Sequence, residues 1–182
     1  TLSIATPVVK VGGAVVFTPG SAVAVNSSIT GTGPVIANNV ATSTVTITLR
    51  DAANNPVTGI TPTFTATNTG TGNTYNACSA TNASGISTCT FRSTRAETKT
   101  LSIATPIVKA DGTVVFTAGA AVAVNSTIVG TGPVVADGTT TSTVTVNLKD
   151  ANNNIVSGIT PVFTSSGTGN TIGACSISDV AG

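Results

Sequence analysis

An all-β fold of tandem antiparallel β-sandwiches is what this sequence predicts, and three observations carry that expectation. The chain repeats itself: residues 1–10, TLSIATPVVK, return as residues 100–109, TLSIATPIVK. Its apolar runs are short and alternate with Thr or Ser at a period of 2. Clusters of Gly, Asn, Asp and Pro interrupt those runs at roughly the 8–12-residue spacing of short-stranded all-β domains.

The repeat fixes the organisation. At an offset of 99 residues, 15–35 (VVFTPGSAVAVNSSITGTGPV) matches 114–134 (VVFTAGAAVAVNSTIVGTGPV), and 42–51 (TSTVTITLRD) matches 141–150 (TSTVTVNLKD). VTGITPTF at 57–64 likewise matches VSGITPVF at 156–163. The second copy then drops two residues, so GTGNTYNACSATNASG at 70–85 meets GTGNTIGACSISDVAG at 167–182. The block ISTCTFRSTRAETK at 86–99, which leads into the second TLSIATP, has no later counterpart in this chain. The expected division is therefore closing strands of a preceding repeat at 1–19, a complete repeat at 20–119, and a second repeat at 120–182 lacking its last strands. Each unit of about 90 residues suffices for a modest core.

Each strand follows from its own alternation. In 42–51, Val45, Ile47 and Leu49 share one face while Thr46, Thr48 and Arg50 share the other; the second copy sets Val144, Val146 and Leu148 against Thr145, Asn147 and Lys149. ITPTFTA places Ile60, Pro62 and Phe64 together, and Pro62, lacking an N–H, points to an edge strand or a bulge. ISTCTFRS pairs Cys89 with Phe91, LSIAT pairs Leu101 with Ile103, and TVVFTA pairs Val114 with Phe116. Roughly seven short strands per repeat read as an antiparallel sandwich of immunoglobulin type.

Composition agrees and excludes several function classes. Only 7% of the residues are charged, against roughly 25% in an average soluble domain. The apolar share of 40% nevertheless separates the chain from disordered, charge-rich sequences. A net charge of +1 with dispersed Lys and Arg leaves no electrostatic footprint for nucleic acid. No apolar stretch approaches the ~18–20 residues of a membrane-spanning helix. Residue 1 is a Thr inside a repeat, so any targeting signal is expected outside this segment. A Ser-, Thr- and Asn-rich, charge-poor surface fits an extracellular protein.

The segments TSTVTITLRDAANNPVTGITPTF and TSTVTVNLKDANNNIVSGITPVFTSSGTGNT closely resemble bacterial immunoglobulin-like repeats of the invasin/intimin type. The resemblance covers essentially the whole chain. It implies rigid stalks of bacterial surface adhesins, with receptor recognition confined to specialised terminal domains. Two features depart from the family pattern: Asn54 and Asn153 stand where a turn Gly is expected, and the cysteine pair is not a general family feature.

Cys78 and Cys89 bracket a turn-containing segment, so a disulfide closing a loop of about a dozen residues is expected. Cys175 is the counterpart of Cys78, and its partner is expected outside this segment. Such a bridge belongs to an oxidising compartment. A zinc site is disfavoured by the absence of His and of any CxxC spacing.

Catalysis finds little material. There is no His to activate a nucleophile. The six carboxylates are Asp51, Glu97, Asp111, Asp137, Asp150 and Asp179. Asp51 and Asp150 open DAANNP and DANNNI, where Asp and Asn oxygens make weak calcium candidates. One carboxylate per loop is thin for calcium, and an Asx-type turn is the simpler role. Asp111-Gly112 and Asp137-Gly138 read as turn dipeptides. Asn26, Asn82 and Asn125 begin N-x-S/T triplets, which arise readily in this composition. Tyr75, replaced by Ile172 in the second copy, is a weak sugar platform and a better loop-packing residue.

The leading functional expectation is a non-enzymatic, cofactor-free extracellular stalk or filament. Its partners are neighbouring repeats or subunits arranged head to tail, joined by the short connectors FTPGSAVAVN and FTAGAAVAVN. The runner-up is an adhesin module for a host receptor or carbohydrate. Left unpaired, Leu2, Ile4, Val16 and Phe17 would expose an apolar edge. Either the segment is a window from a longer chain or adjacent subunits complete each other by strand addition.

Overall fold

The structure, a computed structural model, describes residues 1–6, 10–67 and 72–181. The end of the opening phrase at 7–9, the centre of the expected 67–74 turn, and Gly182 lie outside the described residues. The strands are β1 (Ser3–Ile4), β2 (Lys10–Val11), β3 (Ser28–Gly31), β4 (Val35–Ile36), β5 (Ser43–Thr48) and β6 (Thr63–Ala66). They continue with β7 (Asn73–Tyr75), β8 (Ile86–Ser93), β9 (Thr98–Thr105), β10 (Lys109–Thr117), β11 (Thr127–Gly130) and β12 (Val144–Asn147). One 3-10 turn, Ala24–Asn26, precedes β3.

Strands β3 to β10 form two four-stranded sheets, ordered β3-β5-β8-β7 and β4-β10-β9-β6. Pairing is antiparallel except between β4 and β10, which run parallel. This is an immunoglobulin-like sandwich. It has eight strands where the sequence suggests about seven, the addition being the two-residue β4.

The alternation sets which residues meet between the sheets. Val45, Ile47, Leu49 and Phe91 are fully enclosed from one side, Leu101 and Ile103 from the other, with Phe64, Val114 and Phe116 beside them. Phe91 packs edge-on against Phe64 and Phe116 and stacks with Tyr75. Burying side chains of this size is worth roughly 1.5–3 kcal/mol each before entropy is counted. Gly31 lies where the sheets approach most closely: a Cβ there would stand 2.2 Å from Val114 Cγ2. Lys99 is enclosed as well and is ion-paired with Glu97.

Two breaks in the ladders have local causes. Pro62 is buried directly before β6, an edge strand whose register shifts between Thr63 and Phe64. Asp111-Gly112 is a bulge inside β10 rather than the hairpin turn, with Gly112 at φ 71° and the register shifting between Ala110 and Thr113.

The repeated phrases occupy different environments. Leu101, Ile103 and Phe116 are core, whereas their counterparts Leu2, Ile4 and Phe17 are exposed, Phe17 at 91%. Among the described residues β1 and β2 pair only with each other. In 120–181 the ladder is confined to β11 and β12, and Val144, Val146, Leu148 and Phe163 are only half-buried.

Candidate functional site

The two Asp-Ala loops fold the same way. Asp51 Oδ1 accepts the N–H groups of Ala53 (2.9 Å) and Asn55 (2.8 Å); its Oδ2 accepts Gly20 N–H (2.8 Å) and Asn55 Nδ2 (3.0 Å). Asp150 repeats the set with Asn152 N–H (2.8 Å), Asn154 N–H (2.9 Å), Gly119 N–H (2.9 Å) and Asn154 Nδ2 (2.9 Å). Each carboxylate thus accepts four donors and orders its loop, which is the chemistry of an Asx turn. Among the described residues no group of three or more His, Cys, Asp or Glu gathers at a common point. Asn54 and Asn153 adopt φ of 65° and 63°, a left-handed conformation that Asn tolerates better than other non-glycine residues. That accounts for Asn in place of the family's turn Gly.

The same loops hold the connectors. Gly119 N–H reaches Asp150, Val122 N–H reaches Lys149 O, and Asn125 Nδ2 donates to Asp150 O at 2.7 Å. In the first copy Gly20, Val23 and Asn26 make the corresponding bonds to Asp51, Arg50 and Asp51.

From 150–154 the chain also reaches back to the β3–β10 sandwich. Asn154 Oδ1 accepts Ala96 N–H at 2.8 Å, while its Nδ2 donates to Thr94 O at 2.9 Å. Asn152 Nδ2 donates to Ala37 O at 3.0 Å. Asn154 is 8% exposed, and its amide oxygen and nitrogen are both used. A buried amide so satisfied fixes geometry, because breaking one bond strands a polar group. Sequence reading does not find this seam: the Asn run in DANNNI reads as turn chemistry, and the one signal that sets it apart from DAANNP is Asn152 in place of Ala53.

Electrostatics follow the hydrogen bonds. Burial pushes the Asp150 carboxyl up, but the Asn154 amide and the Gly119, Asn154 and Asn152 N–H groups outweigh it and leave it below its ordinary value. Asp51 is lowered chiefly by the Asn55 side chain and the Gly20 N–H. Asp137 is held well below the carboxylate range by the Thr140 and Thr139 N–H groups of its own turn. A lowered folded-state pKa contributes stability that is complete above the unfolded value, about 3.9, and is lost as pH falls through the folded value. The Gly119 and Asn154 amide resonances should therefore titrate with a midpoint below about pH 3.9. A midpoint above that in a pH series of amide shifts would contradict the assigned bonds.

The other singled-out residues separate clearly. Cys78 and Cys89 form a disulfide with Cα atoms 4.2 Å apart, and Cys175 is free and half-buried. Cys175 lies in an open groove of about 540 Å³ lined by Ile177 and by Val144, Val146, Pro161 and Phe163, the last four being counterparts of the buried Val45, Ile47, Pro62 and Phe64. Tyr75 is part of the aromatic cluster, edge-on to Phe64 at 5.2 Å, and its hydroxyl accepts Ala66 N–H at 3.1 Å. Of the three triplet asparagines, Asn26 and Asn125 spend Nδ2 on the Asp loops, whereas Asn82 is exposed and its Oδ1 accepts Ser84 and Ile86 N–H. Glu97 pairs with Lys99, Asp111 lies 3.4 Å from Lys109, and Asp179 caps Ala181. The structure therefore brings Asp51 and Asp150 to equivalent loops but not to each other.

Comparison with known proteins agrees with this geometry. The family model for the bacterial Ig-like domain (group 1) matches residues 26–129. Among solved structures, the Escherichia coli adhesin FdeC superposes with a TM-score of 0.65 at 27% identity, covering 79% of this chain and 47% of that one. Invasin, described as a bacterial integrin-binding protein, gives 0.61 at 27% identity, covering 79% and 30%. Yersinia pseudotuberculosis InvD shares the fold, with a TM-score of 0.59 at 18% identity over 77% and 45%. The chain thus spans less than half the length of each of these structures. No curated protein matches it.

Proposed function

Because the chain belongs to the bacterial Ig-like domain (group 1) family, we propose that it is a structural, non-catalytic repeat forming a stalk or filament of a bacterial surface protein. In this reading 20–119 is one whole repeat, 1–19 closes the repeat before it, and 120–182 begins the one after. The observation that carries it is the seam at 150–154, where Asn154 and Asn152 bind main-chain groups of the preceding sandwich. A junction held through backbone groups and a pinned connector suits a module whose task is to set the direction of the next one. The Cys78–Cys89 bridge and the charge-poor surface support an extracellular setting.

A second reading is a binding module, favoured by the likeness to FdeC, an adhesin, and invasin, an integrin-binding protein. Recognition surfaces concentrate aromatic and Arg anchors. Here Tyr75 is committed to the aromatic cluster and Arg50 to the Asn54 carbonyl at 2.9 Å. The chain immobilised on a glycan array, and offered to host cells as a soluble competitor, should give no saturable binding. Saturable binding removed by excess free chain would overturn the structural reading in favour of the second.

A further inference from the structure

We infer that the 51–55 loop is a coupling surface for another repeat of this kind, and that its partner is the 94–96 bend of that repeat. The inference rests on the stalk reading and adds to it the surface by which repeats engage. The 150–154 loop supplies the seated example. Its Asn154 takes Ala96 N–H and gives an N–H to Thr94 O, Asn152 gives an N–H to Ala37 O, and the Asp150 carboxylate is satisfied by the loop and its connector. The 51–55 loop has the same internal bonds, the same left-handed Asn and the same grip on its connector. What differs is exposure: Asn154 is buried and Asn55 is exposed.

The bend is built to be read. Thr94 N–H donates to Gly72 O at 2.9 Å, Arg95 N–H to Ser93 Oγ at 3.0 Å, and Asn39 N–H to Ser93 O at 3.0 Å. These bonds hold Thr94 O and Ala96 N–H outward in a fixed orientation, so little ordering is lost on docking. Loop and bend lie at opposite ends of one sandwich: β5 and β8 run antiparallel, the loop following β5 and the bend following β8. One copy therefore presents the loop where its neighbour presents the bend, a heterologous contact that propagates in a line. Ala53 stands where the second copy has Asn152, so the first loop lacks the bond that Asn152 makes to Ala37 O. The Asn55 contact is accordingly expected to be the weaker of the two.

The test follows amide hydrogen exchange in the whole chain. Asn154→Ala should speed exchange at Ala96 N–H about tenfold, as expected for loss of one hydrogen bond, while Leu101 N–H in the core stays protected. Asn55→Ala removes the same local bond to the Asp carboxylate and should leave Ala96 unchanged. A second protein joins a further copy of residues 20–99 ahead of Thr1, so that 1–19 continue from it as 100–118 continue from 99. There the Ala96 amide of the added copy should be protected, and Asn55→Ala should release it alone. An added copy that folds, with its own disulfide and protected core, yet exchanges freely at that amide whatever stands at 55, overturns the coupling surface and spares the stalk reading. An added copy that does not fold overturns the repeat reading and the coupling surface with it.

Discussion

Phe91→Ala should destabilise the β3–β10 sandwich by about 3–5 kcal/mol, the range for deleting a buried aromatic side chain. Phe91 is fully enclosed on β8, an inner strand of its sheet. Its ring meets Phe116 at 5.2 Å and Phe64 at 5.8 Å, both on strands of the opposite sheet, and Tyr75 at 5.9 Å on its own. The substitution removes the contact that joins the two sheets as well as the buried area, and each such aromatic pair adds roughly 0.5–1.5 kcal/mol. In a chain with one Tyr and no Trp, Tyr75 beside Phe91 reports unfolding by its fluorescence. Urea titrations of the parent and the variant measure the difference. Phe163→Ala, at the half-buried counterpart of Phe64, should cost clearly less. A loss under about 1 kcal/mol at Phe91 would show that the cluster does not hold the sheets together.

Replacing both Cys78 and Cys89 with Ala should cost about 3 kcal/mol in the chain-entropy account of a bridge closing so short a loop. The cross-linked residues are 11 apart in sequence, and Cys89 is buried on β8 two residues from Phe91. Urea midpoints with and without reductant should differ in the parent and coincide in the double variant. A parent midpoint unmoved by reductant would mean that the bridge contributes nothing to stability. Because Cys89 and Phe91 share one core, the two losses should not add.

How much was legible beforehand depended on whether one strand carried the information. The alternation of Val45, Ile47 and Leu49 identifies the inward face, and all three are fully enclosed. The same alternation at Val144, Val146 and Leu148 ends half-buried, because a pattern names a face without supplying the partner that covers it. Pro62 calls for an edge strand or a bulge, and the β6 strand it precedes is an edge strand whose register shifts after Thr63. Asp111-Gly112 read as a turn and is a bulge, since both features call for the same left-handed glycine. The Asp turns could be read from local spacing. The bonds from Asn154 to Thr94 and Ala96 could not, because they span about 60 residues and depend on where the 150–154 loop comes to rest on the β3–β10 sandwich.

The parallel pairing of β4 with β10 bears on how the sandwich carries load. The chain enters through β3 and β4 and leaves from the end of β10 at Thr117. With Val35 opposite Phe116 and Ile36 opposite Thr117, the two strands point the same way. Tension drawn between entry and exit therefore pulls them past each other and strains their bonds, including Ala37 N–H to Thr117 O, simultaneously. In an antiparallel pair entry and exit would share one end, and the same pull would peel the bonds apart in succession. Under such a pull the short β4 strand acts as a shear pin across the β3–β10 sandwich.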